Sequence, residues 1–543
     1  MKKLVSRFMA VLMAMTMILS MSMTAFAAED ATRLTGTGKL TVNNTVAGKT
    51  LDLYQIFTAT KNEAGNVAYT LNPEYEGFFK ANVNGASELT GEELSEKAYE
   101  YVKTQVGEDG KNGVNFAKAM LTWILSNTST VDATHKTVTT ATGSTEIANL
   151  AYGYYVVYPL GATDTSAAPG TGQDYTSVAS LVSVTGDTSI NMKSNYPTVV
   201  KKVNNKNADD VNIGDTVTYT LTSKVPDMTG YTSYVFNFKD TLSAGLTFKE
   251  ITSVKVGETT ITKVDAGQEA DNTYTLAQAG QNITITMNNF LASNAKKAGQ
   301  EIKVTYTATL NKDAVTGFDP NTNKATVEYS NKPGTDDKGE SEPSKVDVHT
   351  FNFTIFKYYL KGETKTGLAN AEFELYKANE AGDAADENAK INIVDEGKGV
   401  YRQATADEAK VTGFTSAKIV SDDDGKVLVK GLDAGSYYLR ETKAPEGYNK
   451  LLSDIKIEIK PVYDETTGKL TSYSVDYTYN GTKTTGTAIT SKDNSPEVAV
   501  ENKTGAQLPS TGSKGALMVT LAGIVLFGVL TASKAFGKKK AKN

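Results

Sequence analysis

Cysteine is absent from the 543 residues. That absence excludes disulfides as staples and thiolates as nucleophiles or metal ligands, so stability must come from core packing, assembly or another covalent link. Histidine is scarce. His135 and His349 are the only two and lie far apart in the chain, which argues against a transition-metal site and against histidine-based catalysis. With a formal net charge of −6 there is no basic excess, and a nucleic-acid partner is not supported. No nucleophile elbow and no phosphate loop occur, and the carboxylates are scattered along loop-like stretches, so a hydrolase reading finds little footing. No cofactor and no metal are expected.

Long apolar runs are confined to the two ends. Met1-Lys2-Lys3, an apolar run from about Phe8 to Leu19, and Ala25-Phe26-Ala27 ahead of Glu29-Asp30 predict a secretory signal peptide over residues 1–27. The run is too short, and ends in residues too small, for a membrane anchor. At the other end, Leu508-Pro509-Ser510-Thr511-Gly512 precedes an apolar stretch from about Ala516 to Ala532 and the cluster Lys538, Lys539, Lys540 and Lys542. That order predicts a transmembrane helix whose basic tail stays on the cytoplasmic side. Pentapeptide, span and tail in register resemble the cell-wall sorting signal of sortase substrates, whose pentapeptide is LPxTG. The resemblance implies cleavage between Thr511 and Gly512 by the sortase cysteine, with Thr511 left as a thioester for an amine to attack. It also implies a secreted chain anchored covalently to the cell wall of a Gram-positive bacterium.

Between the ends, 45 glycines, 28 tyrosines and abundant Thr and Val fit a mainly β, loop-rich protein. Lys39-Leu-Thr-Val-Asn-Asn and Thr50-Leu-Asp-Leu-Tyr-Gln-Ile-Phe57 alternate polar and apolar residues as half-buried strands do. A helical interlude follows. Thr90 and Glu93 have capping-box spacing, and Phe116, Met120, Trp123 and Ile124 after Asn115 share one helical face, which reads as core. Strands resume at Tyr152–Tyr158 and near Ser177–Val184. Residues 28–195 are therefore expected to form an N-terminal domain with some helix. A second domain, 196–348, carries strand patterns at Thr198–Val203, Asp215–Leu221, Ile283–Met287, Ile302–Ala308 and Ala325–Tyr329, ending in a linker over Pro333–Lys345. A third runs over 349–503, and the sorting signal occupies 504–543. Short strands between turn residues predict tandem immunoglobulin-like β-sandwiches. Ala378–Lys390 and Asp422-Asp-Asp-Gly425 read as exposed loops, the acidic triplet lacking the alternating ligands that calcium requires.

In the third domain, Phe353-Thr-Ile-Phe-Lys357, Gly367–Leu375, Tyr437-Tyr-Leu-Arg-Glu441-Thr-Lys-Ala-Pro-Glu-Gly-Tyr448 and Val498-Ala-Val-Glu-Asn502 resemble the collagen-adhesin B-type repeat of Gram-positive pilins and adhesins. The resemblance implies an intramolecular isopeptide bond between Lys357 and Asn502, assisted by Glu441. The chemistry is physically sound. An apolar core lowers a lysine's pKa and raises that of a nearby carboxyl, giving a neutral nucleophile and an acid able to polarise the amide. The second domain, through Pro197–Val203, Phe238–Leu246 and Asn323–Asn331, resembles the fimbrial isopeptide-formation domain. There the implied nucleophile is Lys201 and the acid Asp240, with Asn323 or alternatively Asn331 as electrophile. Alternation points Lys201 and Lys202 to opposite faces, so one of them faces the core.

Ile190-Asn-Met-Lys193-Ser-Asn-Tyr-Pro197 stands where pilus-shaft subunits carry a valine-tyrosine-proline-lysine pilin motif. Lys193 matches by position, although Asn191-Met192 replace Tyr-Pro. Together these features resemble a sortase-assembled major (backbone) pilin. The implied function is that of a structural shaft subunit of a covalent pilus, joined from Lys193 to Thr511 of the next copy and supporting adhesion. The implied partners are pilin-type and housekeeping sortases, copies of the chain itself, ancillary pilins, peptidoglycan and host surface ligands. Such a chain is a sortase substrate, not an enzyme. A monomeric wall-anchored adhesin, or an ancillary tip or base pilin, would share the same signals. Lys39, on the opening strand, is a candidate nucleophile of a first-domain link but has no evident acid partner.

Overall fold

The computed structural model describes residues 34–107, 113–162, 179–192, 196–228 and 230–505. The expected signal peptide, Lys193, the expected sorting pentapeptide, the expected transmembrane stretch and the basic tail lie outside the described residues. The chain is mainly β and divides into two units. One contains the described residues up to Val315, with Asp319–His349 and Tyr463–Leu470; the other contains Thr316–Phe318, Thr350–Val462 and the described residues from Thr471 onward.

The first unit opens with two sheets. In the smaller, Thr37–Thr45 sits between Gly143–Ala151, antiparallel, and Thr188–Asn191, parallel. In the larger, Thr50–Lys61 and Gly153–Pro159 pair at the centre. Helices Gly91–Val106 and Gly113–Ser126 pack their apolar stripes on this sheet, burying Leu94, Ala98, Phe116, Met120 and Ile124. Trp123 packs against Tyr75 and Phe78 in the same core. Thr90 does occupy the N-cap position, but its hydroxyl caps no helical N–H, so the expected capping box is not made there. The box is made instead by Thr405 and Glu408, which start the short helix Ala406–Ala409.

The rest of the first unit is a sandwich. A five-stranded sheet runs Thr259–Thr260, Leu246–Val256, Glu301–Leu310, Thr216–Lys224, Val200–Val203. Facing it is an eight-stranded sheet whose centre is Asn321–Ser330 beside Phe236–Leu242. Period-two alternation fills the space between them: Val217, Tyr219 and Leu221 from one sheet meet Phe236, Phe238, Val327 and Tyr329 from the other. The expected linker Pro333–Lys345 is not free chain. Lys338–Glu340 and the strand Ser344–His349 both pair with Asn321–Ser330. Lys338–Glu340 is too short and polar to show a period in the sequence, whereas Ser344–His349 buries Val346 and Val348 in alternation and begins inside the expected linker.

In the second unit, Phe351–Lys361 is central to a six-stranded sheet, flanked by Lys426–Leu432 and, in parallel, by Glu497–Glu501. A seven-stranded sheet built on Glu372–Ala378 and Gly435–Lys443 covers it. Within Ala378–Lys390, read as a loop, Ala385–Lys390 forms an edge strand against Glu372–Ala378. Its polar residues face solvent on both sides, which hides the alternation. At the acidic triplet, Asp422 Oδ1 accepts from Asp424 N and Lys426 N, closing a turn.

Candidate functional site

Among the described residues two lysines are buried, Lys201 at 1% exposure and Lys357 at 0%. Lysine is almost never buried unless it is paired, so each marks a site.

Lys201 lies on Val200–Val203, opposite Leu221 of Thr216–Lys224. Val200 points outward and Lys201 inward, while Lys202 turns away and donates to Asn207 Oδ1. The Lys201 backbone is fixed by donation from its N to Ser344 Oγ at 2.9 Å. The facing sheet supplies the partners. In the pairing of Phe236–Leu242 with Asn321–Ser330, Asp240 is opposite Ala325 and Leu242 opposite Asn323. Asp240 and Asn323 are thus diagonal neighbours on one face. Lys201 Nζ donates to Asp240 Oδ2. It also donates to the Tyr306 hydroxyl at 2.8 Å. Asn323 Nδ2 donates to the same hydroxyl at 2.7 Å, and that hydroxyl donates to Asp240 Oδ2 at 2.8 Å. Tyr306 belongs to Glu301–Leu310, opposite Tyr219, and the two rings stack with centroids 5.1 Å apart. Asp240 Oδ1 and Asn323 Oδ1 are buried with no hydrogen-bond partner.

The second unit reaches a similar grouping by a different route. Lys357 is opposite Val500 in the parallel pair, and Asn502 lies just beyond, its N donating to Tyr358 O at 2.9 Å. Glu441 comes from the covering sheet, opposite Phe373. Lys357 Nζ lies 3.0 Å from Glu441 Oε1. Glu441 Oε2 accepts from Leu451 N at 2.7 Å and from Asn502 Nδ2 at 3.3 Å, and Asn502 Nδ2 also donates to Asn449 O. A glycine turn holds the Lys357 backbone. Lys357 N donates to Gly425 O at 2.7 Å and Leu368 N donates to Lys357 O at 2.9 Å. Gly425 has φ +75°, and a Cβ there would stand 2.1 Å from Lys357 O, so only glycine permits this approach.

The electrostatics follow from burial. Desolvation lowers Lys201 from its ordinary 10.5 to about 8, against the attraction of Asp240. Lys357 falls likewise to about 8, desolvation outweighing Glu441 and Glu501. At about 8, roughly a tenth of each amine is neutral near pH 7, against less than about a thousandth for an ordinary lysine, and the neutral form is the nucleophile. Desolvation first, and Asp240 second, push the Tyr306 hydroxyl well above its usual value, keeping it protonated. Aromatic rings wall both amines: Lys201 Nζ is 5.0 Å from the Tyr219 centroid and Lys357 Nζ 5.7 Å from that of Phe373.

Each lysine is therefore brought against the carboxylate that the sequence singled out, Lys201 against Asp240 and Lys357 against Glu441, and shares one group with the asparagine, the Tyr306 hydroxyl for Asn323 and the Glu441 carboxylate for Asn502. Asn331 is not in the first group. It lies past the end of the Asn321–Ser330 strand, its N donating to Asp337 O and its side chain against Gly161. Lys39 pairs with Glu146 at 3.1 Å in an exposed position, without the burial that would activate its amine. His135 stacks on Tyr54 and pairs with the buried Asp52 at 2.9 Å, and His349 is buried with its pKa lowered, chiefly by desolvation. Lys193, Leu508, Pro509, Ser510, Thr511 and Gly512 lie outside the described residues. Sequence reasoning missed Tyr306. Its signal was there, since the alternation that buries Ile302, Val304 and Ala308 also sends this hydroxyl-bearing ring inward.

Residues 356–474 match the family described as SpaA, a prealbumin-like fold domain, and residues 213–333 match the Gram-positive pilin backbone subunit 2, Cna-B-like domain. The chain is 27% identical over 348 residues to the trypsin-resistant surface T6 protein of Streptococcus pyogenes, covering 58% of this chain and 53% of that one. It is 28% identical over 268 residues to the fimbrial subunit type 2 of Actinomyces naeslundii, covering 46% and 48%. The chain spans about half the length of these curated relatives. Among solved structures, it is similar to the T6 backbone pilin of serotype M6 Streptococcus pyogenes, at 16% identity and a TM-score of 0.46, over 89% of this chain and 100% of that one.

Proposed function

We propose that this chain, which carries domains of the Gram-positive pilin-backbone type, is the repeating shaft subunit of a covalently joined pilus, stiffened by two internal isopeptide bonds. The observation that carries the stiffening is the burial of Lys201 and Lys357, each against a carboxylate and each one hydrogen-bonding group away from an asparagine amide, Asn323 through Tyr306 and Asn502 through Glu441. An unlinked ammonium in such a place costs several kcal/mol of desolvation that its ion pair only partly offsets. Amide formation removes that charge for good.

In this reading the neutral lysine attacks the asparagine Cγ, the C–Nδ2 bond breaks and ammonia leaves. The carboxylate takes a proton from the lysine and, once protonated, polarises the amide carbonyl. The two links load the fold differently. Lys201 to Asn323 would join the two faces of a sandwich, whereas Lys357 to Asn502 would join two adjacent parallel strands at a domain's beginning and end. The second places tensile load on an amide where only ladder hydrogen bonds would otherwise carry it.

Export, anchoring and head-to-tail joining rest on the two terminal signals and on Lys193, whose amine would attack the acyl-enzyme formed at Thr511. Residues 1–27, 28–195, 196–348, 349–503 and 504–543 then serve as export signal, three shaft domains and sorting signal. The test is an immunoblot of cell-wall extracts boiled in SDS, comparing wild type with Lys193→Ala. The expected result is a high-mass ladder in wild type that is lost in the variant. A ladder persisting in the variant moves the link to another lysine, and a single monomer band in both strains replaces the shaft with an anchored adhesin.

A further inference from the structure

The two groupings are not chemically equivalent. In the second unit the Glu441 carboxylate touches both the Lys357 amine and the Asn502 amide, and no hydroxyl takes part in the hydrogen bonds described for these three side chains. In the first, the Tyr306 oxygen lies within hydrogen-bond distance of all three partners: it accepts from Lys201 Nζ and from Asn323 Nδ2, and donates to Asp240 Oδ2. The atom that must leave, Nδ2, bonds to the tyrosine and not to the carboxylate.

We propose that Tyr306 is a catalytic residue of the Lys201–Asn323 cross-link, relaying a proton between Asp240 and the departing Asn323 nitrogen. The inference rests on the reading that these two side chains become joined. Lys201 begins as an ammonium beside the Asp240 carboxylate. One proton passes to Asp240, and the neutral amine attacks Asn323 Cγ. As the bond to Nδ2 breaks, Tyr306 gives its proton to that nitrogen and recovers one from Asp240. Asp240 is then replenished by the second proton shed from the former lysine nitrogen. The products are a secondary amide, one ammonia and a protonated Asp240, so hydrogens and charge balance against the starting ion pair.

Burial supports the assignment. The ring is 1% exposed and clamped on Tyr219, and a hydroxyl held protonated in a dry core is a donor at every physiological pH. A purely structural tyrosine would satisfy one or two groups. Here all three hydrogen-bonding capacities of the hydroxyl are spent on the atoms that react.

The test follows both links in the full chain during a pulse of synthesis, by mass spectrometry of the joined peptides. Tyr306→Phe keeps the ring and removes the relay. The Lys201–Asn323 peptide is expected to form at least about a hundredfold more slowly, the usual worth of a positioned acid–base group, while the Lys357–Asn502 peptide forms at the wild-type rate and reports a folded chain. Unchanged formation of the first peptide overturns the role of Tyr306. Absence of that peptide in wild type would instead sink the cross-link on which the role depends. If Tyr306→Phe loses both peptides through misfolding, a fluorotyrosine installed at position 306 decides. It keeps ring and hydroxyl while making the oxygen more acidic. A changed linking rate supports the relay, and an unchanged rate rejects it.

Discussion

Replacing Asn502 by Ala removes the proposed electrophile of the second unit and leaves the Lys357–Glu441 ion pair in place. Two losses follow. The first is the covalent loop between positions 357 and 502, about 145 residues, whose closure restricts the unfolded chain by about 5 kcal/mol in the chain-entropy treatment of cross-links. The second belongs to the unlinked chain alone, since linking expels Asn502 Nδ2 as ammonia: the pair of hydrogen bonds from that nitrogen to Asn449 O and Glu441 Oε2, together about 1–3 kcal/mol. A double-mutant cycle separates them. In a Glu441→Gln background, where the assisting carboxyl is already gone and no link forms, Asn502→Ala should cost only the second amount. In the wild-type background it should cost the covalent loop instead, about 5 kcal/mol, lowering the midpoint of thermal unfolding of this unit by roughly 10–20 °C. The intact mass gives an independent check: wild type should be lighter than its sequence by two ammonias, and each link-blocked variant by one. Equal costs in the two backgrounds, with no missing ammonia, would refute the reasoning.

In the unlinked Asn502→Ala variant, Lys357 remains a titrating amine, near 8 in the folded chain and 10.5 in the unfolded one. Between those values the unfolded chain holds a proton that the folded chain has released, so stability should rise with pH across that window and level off below it. A denaturation series over pH showing a fall there would contradict the burial argument. Thr511→Ala should leave the chain unanchored and unpolymerised, read as loss of both wall-bound and high-mass material on the same blots. Arg402→Ala, which breaks contacts from a 4%-exposed guanidinium to Glu396 and Glu408 and disturbs the helix start at Thr405, should destabilise the second unit by about 2–3 kcal/mol. Denaturant melts of this variant should show the shift with both cross-links intact.

Strand positions were the most legible part of the fold. The alternation at Asp215–Leu221 and Ile302–Ala308 appears as the strands Thr216–Lys224 and Glu301–Leu310 with the expected residues inside, because a pleated strand has a period of two that sequence records directly. The segments that went astray were short or polar on both faces. Lys338–Glu340 and Ala385–Lys390 form strands through pairing at a sheet edge, an interaction their own residues do not advertise.

Order along the chain and local pattern by themselves determined much about this protein. Lysines, carboxylates and asparagines fall in sequence motifs, and alternation alone sends Lys201 and Lys202 to opposite faces. A side chain's face is a local property, fixed by the pleat. Its partner is not. That Asn323 and not Asn331 shares the Tyr306 hydroxyl with Lys201, that no hydroxyl enters the other grouping among the described contacts, and that one proposed pair would span two sheets while the other would span two strands, were decided only by the tertiary structure. Those choices depend on strand order and register between segments more than a hundred residues apart, which backbone hydrogen bonding and core packing settle together and no short stretch of sequence contains.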